Sequence, residues 1–471
     1  MSNEEPVPRI RGTQDFCPVD YYLRERAWKN IQSVFEKFGY QGIEVPIIEH
    51  TELHTKKSGE EIRRHMYHFI DLGERDICLR PEITASVVRA FNTEMSTEPL
   101  PVRLYYFGPA FRYDKPQEGR YRQFTQAGIE CLGGDGLECD AEVIQIARLG
   151  LEAIGIKDYY CVIGHLGIIS QFLNSFSQLS PQIKSFFIES FEDLSKAPTL
   201  EEGLANMKED FFKIEGAANI KNEVLDVVLS FISELCRISG KPEIVFKKLE
   251  NLIGRYSHIG LTSQPLSELK EIVTYLNTYG VDWENTRIDF GFGRGLTYYT
   301  GMIFQLHCPN LGAANQVCGG GRYDGLVEFM GGREPVKAVG FAYGFERIVL
   351  SFQKSLPPRL KGYDGKMEVA FVEVMVVPIG NGGFLYAIQV AQQLRANGIR
   401  VEIGSFGKKA KKLTSRANLL QIPYVIFIGD EEKNSKTVKI KEMSTGKEIV
   451  LNYMQLEDFA CDISSKKPFS K

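Results

Sequence analysis

FGPAFRYDKPQEGRYRQFTQAGIE, residues 107 to 130, is the stretch from which the fold is read. An aromatic run ends at Arg112, a polar loop holds Pro116 and Gly119, and the chain returns through Arg120 and Arg122 into Phe124, Gln126, Gly128 and Glu130. Proline and glycine punctuate regular structure, so the pattern predicts two strands joined by a loop. Alternate residues of a strand point to one face, so Phe124, Gln126, Gly128 and Glu130 point together. That face offers an aromatic plane, an amide and a carboxylate, rimmed by the guanidinium groups of Arg112 and Arg120. It suits a nucleotide with an amine-bearing partner, while a solvated basic hairpin is the plainer alternative.

Working outward, the runs VRLYYFG and YYCVIG and a helical stretch near Ala141 to Leu151 indicate a sheet dominated by hairpins rather than regular βαβ alternation. Upstream, Leu23, Ala27, Ile31, Val34, Phe35 and Phe38 recur at intervals of three and four, one face of a helix from Tyr22 closed by Gly39. QGIEVPIIEH then mixes β-branched residues with a proline, as an edge strand or a subunit boundary does. Residues 168–276 carry helical spacing, for example Val224, Val227, Val228, Phe231, Ile232 and Leu235, and are expected to form a helical insertion. Strand and glycine-loop character resumes in 277–350, so 1–167 and 277–350 form one split α+β domain. Residues 351–367, with their prolines, glycines and charges, form a linker, and 368–471 alternate strand and helix as a small α/β domain around a mixed sheet.

Three further segments carry chemistry-bearing residues. In GFGRGLTYYTGMIFQ, residues 291 to 305, Arg294 lies between glycines and precedes Tyr298 and Tyr299; in QVCGGGRYDGL, 316 to 326, three glycines precede Arg322 and Tyr323. A triple glycine is as often a tight turn as a ligand loop. It lacks the strand and helix context of a dinucleotide fingerprint and the GxxxxGK[ST] of a P-loop, which disfavours both cradles. AVGFAYGFERIVL, 338 to 350, leads into a helix carrying Glu346 and Arg347, where Arg347 is placed to reach a phosphate.

Composition excludes several classes. The 471 residues are 43% hydrophobic and 25% charged, as in ordinary folded proteins, and 56 Lys plus Arg against 60 Asp plus Glu leave a formal charge of −4, which rules out a global basic field. The charge is unevenly spread: from Glu368 onward 15 Lys plus Arg stand against 11 Asp plus Glu, a local +4. Nine cysteines without a CxxC pair read as reduced thiols. The spacings of His50 with His54 and of His65 with His68 fit a zinc site poorly, with no HExxH and no cysteine at finger spacing, so ordinary surface or packed histidines are expected and no dedicated metal site. No apolar run approaches the roughly 20 residues of a membrane span. The polar, acidic start has neither a secretory nor a transit pattern, so a cytoplasmic location is expected.

Together these segments resemble the histidyl-tRNA synthetases, class II aminoacyl-tRNA synthetases. The likeness runs in family order through RGTQDF (11 to 16), the region around Pro46, LRPEITASVVRA (79 to 90), the hairpin, RGLTYYTG, CGGGRYDGL and GFER; RGLTYYTG with CGGGRYDGL narrows class II to histidine. The resemblance implies an antiparallel catalytic sheet with flanking helices, a helical insertion and a C-terminal anticodon-binding domain. It implies activation of L-histidine with ATP and transfer to the 3′ end of tRNA-His by a homodimer whose segment near Pro46 packs across a twofold axis. Arg112 and Arg294 are the implied α-phosphate clamp and catalytic pair, Arg120 and Arg347 hold the β- and γ-phosphates, and Phe124 stacks on adenine. Magnesium is expected on the ATP phosphates. Glu82, Thr84 and Gln126 are the implied amino-group subsite, Glu130 with Tyr298, Tyr299 and Tyr323 the imidazole pocket, and Ile83, Arg112 and Arg294 further implied contacts of the histidine.

Four positions depart from the family pattern: Asp114 stands where Glu is common, Lys115 for Arg, Thr297 for the Asp of RGLDYY and Gln305 for a frequent Glu. The main rival, the synthetase-like regulatory subunit of ATP phosphoribosyltransferase, is opposed by Arg294, the full hairpin set and the C-terminal domain. In that domain the cations Lys408, Lys409, Lys411, Lys412 and Arg416 are either a solvated helix face or a tRNA contact.

Overall fold

The strands Val102–Phe111 and Gln123–Leu132 pair antiparallel along their whole length, from Val102 opposite Leu132 to Phe111 opposite Gln123. This is the hairpin expected at 107 to 130, and it lies within a nine-stranded sheet. In the computed structural model, which describes residues 6–58, 60–291, 298–355, 371–380, 382–405 and 407–465, the sheet continues outward from Gln123–Leu132 through Ala338–Gly344, Gln316–Arg322, Met302–His307 and Tyr160–His165. All these neighbours are antiparallel. The flanks are different, because Gln41–Gly42 joins Val102–Phe111 in parallel and Thr286–Asp289 joins Tyr160–His165 in parallel.

The helix Pro18–Lys37 buries Leu23, Ala27, Ile31, Val34 and Phe35. It begins four residues before the expected Tyr22, at a proline that has no N–H to lose in the first turn. It packs against the helix Leu137–Ala153, whose apolar side closes the core over the sheet. A three-stranded antiparallel sheet, Ile48–His50, Asp76–Leu79 and Tyr67–Ile70, lies beside the segment that contains Pro46.

Six helices occupy the stretch expected to be a helical insertion: Gly167–Asn174, Pro181–Lys196, Leu200–Phe211, Asn222–Cys236, Pro242–Tyr256 and Gln264–Thr278. The buried stripe of Asn222–Cys236 is Leu225, Val228, Phe231, Ile232 and Leu235, so Val224 and Val227 lie at its margin instead of inside it. The stretch also contains Ser239–Gly240, a two-residue strand that pairs with Thr286–Asp289 at the edge of the large sheet. Two residues carry no alternation, and their strand state comes wholly from the partner.

Two compact units divide at Leu356 and Pro357. The helix Phe345–Ser355 runs five residues into the expected linker, since GFERIVLSFQKS keeps helical spacing. In the second unit, Val401–Ile403, Val374–Pro378 and Tyr424–Ile428 are parallel neighbours, and Thr437–Glu442 and Glu448–Asn452 add antiparallel strands. The mixed sheet is covered by the helices Phe384–Ala396, Ala410–Leu419 and Leu456–Ser465, the last not anticipated from the sequence.

Candidate active site

Glu130 lies near the end of a buried strand and is itself 1% exposed. A carboxylate in that position is tolerable only if its lone pairs are used. Thr84 Oγ1 donates to Oε1 at 2.7 Å, Tyr106 Oη donates to Oε1 at 3.2 Å, and Tyr323 Oη donates to Oε2. These three hydroxyls fix the orientation of the carboxylate. Burial, followed by the neighbouring negative charge of Glu130, holds the Tyr106 and Tyr323 phenols well above their ordinary range, so both remain O–H donors at neutral pH.

The other expected amino-acid residues surround this group. Gln126, four residues earlier on the same strand, accepts the Ile83 N–H through Oε1 at 2.9 Å. Glu82 Oε1 accepts the Ala85 N–H at 3.1 Å. Tyr298 and Tyr299 pack with ring centroids 4.3 Å apart, and the Tyr298 ring stands edge-on to Tyr323 at 6.1 Å. Burial raises the Tyr298 phenol, again keeping its proton. Tyr323, Tyr106, Ile83 and the two partly buried tyrosines thus share one apolar cluster.

Of the expected phosphate groups, Arg112 donates through Nε to Pro81 O at 3.0 Å, and its guanidinium lies 5.5 Å from the Phe124 ring centroid. Arg120 pairs with Asp114 at 2.8 Å, and Asp114 also meets His65 Nδ1 at 2.9 Å. Partial burial would raise the Asp114 carboxyl, but the hydrogen bonds from Arg120 and His65 outweigh it and hold it below the usual range. Arg347 donates to Gly119 O at 2.9 Å and to Gln316 O at 2.8 Å, joining the hairpin loop to the sheet. Arg294 and Thr297 lie outside the described residues. Lys115 is exposed, while Gln305 is buried in mid-sheet and meets His307 Nε2 at 3.2 Å.

The triple glycine is neither a turn nor a ligand loop. It lies in the middle of the strand Gln316–Arg322, where a Cβ on Gly320 would sit 2.4 Å from Gly340 O on the neighbouring strand. Arg322 points away from the tyrosines into a buried pair with Asp140 and also donates to Gly134 O and Gly136 O. Its role is to tie the helix Leu137–Ala153 to the sheet. Glu346 also braces the site: it accepts the Thr125 N–H at 2.8 Å and pairs with Arg24 at 2.9 Å.

Two site residues were not anticipated. Tyr106 stands opposite Gly128 in the hairpin register and hence on the face of Glu130, so strand pairing would have revealed it. His54, on the helix Thr51–Ser58, is buried with Nδ1 3.5 Å from Glu82 Oε1, a proximity that no spacing in the sequence signals. Among the described residues no cluster of three or more His, Cys, Asp or Glu is arranged to hold a metal ion.

Solved structures share this architecture. The apo histidyl-tRNA synthetase of S. aureus is 25% identical with a TM-score of 0.68, covering 96% of this chain and 99% of its own. The histidyl-tRNA synthetase of Nostoc sp. PCC 7120 is 22% identical with a TM-score of 0.76, covering 98% and 100%. An antiparallel sheet bearing an arginine hairpin and a helix with Glu346 and Arg347 is accordingly the catalytic fold of a class II aminoacyl-tRNA synthetase.

Residues 12–348 match the family described as Histidyl-tRNA synthetase, and residues 373–462 match the Anticodon binding domain. Relatives named Histidine--tRNA ligase from Methanococcus vannielii and Pyrococcus abyssi are 35% and 33% identical; they cover 96% and 94% of this chain and 99% and 96% of their own length. The chain belongs to the histidyl-tRNA synthetase family.

Proposed function

We propose that the cleft around Glu130 activates L-histidine with ATP and then passes the histidyl group to the 3′ end of tRNA-His, the activity of a histidine--tRNA ligase. The observation that carries the chemistry is the buried Glu130 carboxylate, oriented by the hydroxyls of Thr84, Tyr106 and Tyr323. The imidazole N–H of histidine donates to this carboxylate. An amino acid without such a donor leaves the buried charge short of a partner, which is how such a pocket reaches discrimination of about 10⁴-fold without editing.

In the first step the histidine carboxylate attacks the α-phosphorus of ATP and pyrophosphate leaves. Charge grows on the phosphoryl oxygens, and Arg112 and Arg294 are assigned to neutralise it. Arg120 and Arg347 take the β- and γ-phosphates, exchanging Asp114 and backbone carbonyls for stronger anionic partners, and Phe124 stacks on adenine. Glu82, Thr84 and Gln126 hold the α-amino group. Magnesium enters as part of the ATP substrate, bound to its phosphates. In the second step the terminal tRNA hydroxyl attacks the adenylate carbonyl and AMP leaves.

Homodimerisation belongs to the same proposal. Ile47, Ile48, Phe69, Ile70 and Leu72 are exposed in and beside the three-stranded sheet near Pro46, an apolar patch suited to a twofold contact. Sedimentation at a dimer mass supports it, and a monomer at micromolar concentration refutes it. A cytoplasmic location follows from the substrates, and no described helix is long and apolar enough to cross a membrane. The 168–276 stretch is assigned as an insertion domain and 368–471 as the part that holds the anticodon.

Histidine-dependent exchange between pyrophosphate and ATP is the direct test of the enzyme. Exchange that needs histidine supports the proposal. Its absence in purified, folded protein would return the chain to the regulatory-subunit reading.

A further inference from the structure

We infer that His54 is a positioning residue of the amino-acid subsite, acting through the carboxylate of Glu82. The inference rests on the reading of Glu82 as the group that meets the substrate's ammonium.

The His54 ring is 1% exposed, and neither of its nitrogens has a hydrogen-bond partner. A neutral imidazole always carries one N–H donor and one acceptor, so burying both without partners costs free energy that an apolar side chain of similar size would not incur. The nearest carboxylate oxygen is Glu82 Oε1, 3.5 Å from Nδ1 and a few tenths of an ångström beyond a normal N–H···O bond. A small rotation of Glu82 closes that gap. Oε1 already accepts the Ala85 N–H at 3.1 Å, so a second donor on the same atom would set the carboxylate torsion that the ammonium meets.

The helix carrying His54 is anchored independently of the substrate, because Thr51 Oγ1 at its start donates to Asp76 Oδ1 at 2.7 Å in the three-stranded sheet. The imidazole is therefore held by its own element, and it is Glu82 that moves to meet it. Substrate binding supplies the drive: an ammonium against the carboxylate fixes it in one orientation, and His54 Nδ1–H is the donor waiting at that orientation. His54 touches no reacting atom, so its effect belongs in histidine affinity and not in the chemical step.

The test is histidine-dependent pyrophosphate exchange with His54→Phe, which fills the space without a donor, and His54→Asn, whose amide nitrogen reproduces Nδ1. The expected result is a rise of about tenfold in KM for histidine in the Phe variant, with KM for ATP and kcat within about twofold, and recovery to within about threefold in the Asn variant. In a Glu82→Gln background the Phe substitution should add nothing further. Equal effects of Phe and Asn, or a parallel rise in KM for ATP, would reduce His54 to packing and overturn the inference. If Glu82→Gln alone leaves KM for histidine unchanged, the reading of Glu82 falls and takes the inference with it. If Glu82→Gln raises it while His54→Phe does not, the inference alone falls. Should the Phe variant fail to fold, the ring nitrogens of His54 in ¹⁵N-histidine-labelled wild-type protein decide the matter. Saturation with unlabelled histidine should shift Nδ1 into the hydrogen-bonded range, and an unmoved resonance overturns the proposal.

Discussion

Thr84 and Glu130 are 46 residues apart in the chain, yet Thr84 Oγ1 donates to Glu130 Oε1 over 2.7 Å. The contact joins the first residue of the helix Thr84–Ala90 to the buried end of the strand that carries Gln126. Thr84→Val keeps the shape and removes the donor to a buried charge. A hydrogen bond to a charged group is worth about 1.5–3 kcal/mol, so kcat/KM for histidine in exchange should fall by about 10- to 100-fold. A change below twofold would mean that the bond carries no weight in recognition.

Gly340 faces Glu130 from the neighbouring strand. A Cβ there would lie 2.0 Å from Glu130 Oε2 and 2.4 Å from Ile129 O, where neither the strand backbone nor a triply bonded carboxylate can give way cheaply. Gly340→Ala is expected to cost about 3 kcal/mol or more, read as a lower denaturant midpoint or as insoluble protein. Gly254 makes the contrast: it sits within the helix Pro242–Tyr256 with nothing within 4 Å of its added Cβ, so Gly254→Ala should stabilise by about 0.5–1 kcal/mol.

His165 supplies a pH signature. It is buried beside Arg322, and its Nδ1 accepts the Gly167 N–H while Nε2 lies 3.4 Å from Glu268. Burial first, then the Arg322 charge, pushes its imidazole down to about 4. In the unfolded chain it titrates near 6.5, so between those values the unfolded state binds a proton that the folded state refuses. Stability is therefore whole above about pH 6.5 and is lost as pH falls towards 4, by about 3 kcal/mol from this group alone. His165→Asn keeps an acceptor near Nδ1 without titrating. Denaturation midpoints from pH 7 to 4 should fall less steeply for the variant, and parallel curves would refute the assignment.

Arg294 is the proposed partner of Arg112 on the α-phosphate. Arg294→Ala should lower kcat for adenylation by about 10²-fold or more while KM for histidine changes less. A raised KM with unchanged kcat would make it a binding residue only.

Lys408, Lys409, Lys411 and Lys412 are exposed at and just before the helix Ala410–Leu419, whereas Arg416 pairs with Glu402 at 3.1 Å. If the lysines meet tRNA phosphates, replacing all four with alanine should weaken tRNA binding and flatten its salt dependence, with histidine-dependent exchange intact. Arg416→Ala should matter less, because its charge already has a partner. Unchanged tRNA affinity would leave the lysines as a solvated face.

Local pattern was enough for much of this molecule. The hairpin and its shared face of Phe124, Gln126 and Glu130, the amphipathic helix ending at Lys37, the helical character of 168–276 and the mixed C-terminal sheet are all written in periodicities of two or about 3.6 residues and in turn chemistry, which act over a few positions. The order of motifs along the chain likewise carries the likeness to the family. What folding alone decided depends on contacts between distant residues. CGGGR is a strand through its pairing on both sides, and at Gly320 and Gly321 the neighbouring strands leave no room for a Cβ. Ser239–Gly240 is a strand only because Thr286–Asp289 lies beside it. Arg322 turns from the tyrosines to Asp140, Tyr106 reaches Glu130 across the hairpin, and His54 comes to lie against Glu82. A histidine at an ordinary spacing has the same local signature whether it is solvated or buried beside a carboxylate; which it becomes is set by the packing of helix against sheet, and that packing is a property of the whole chain.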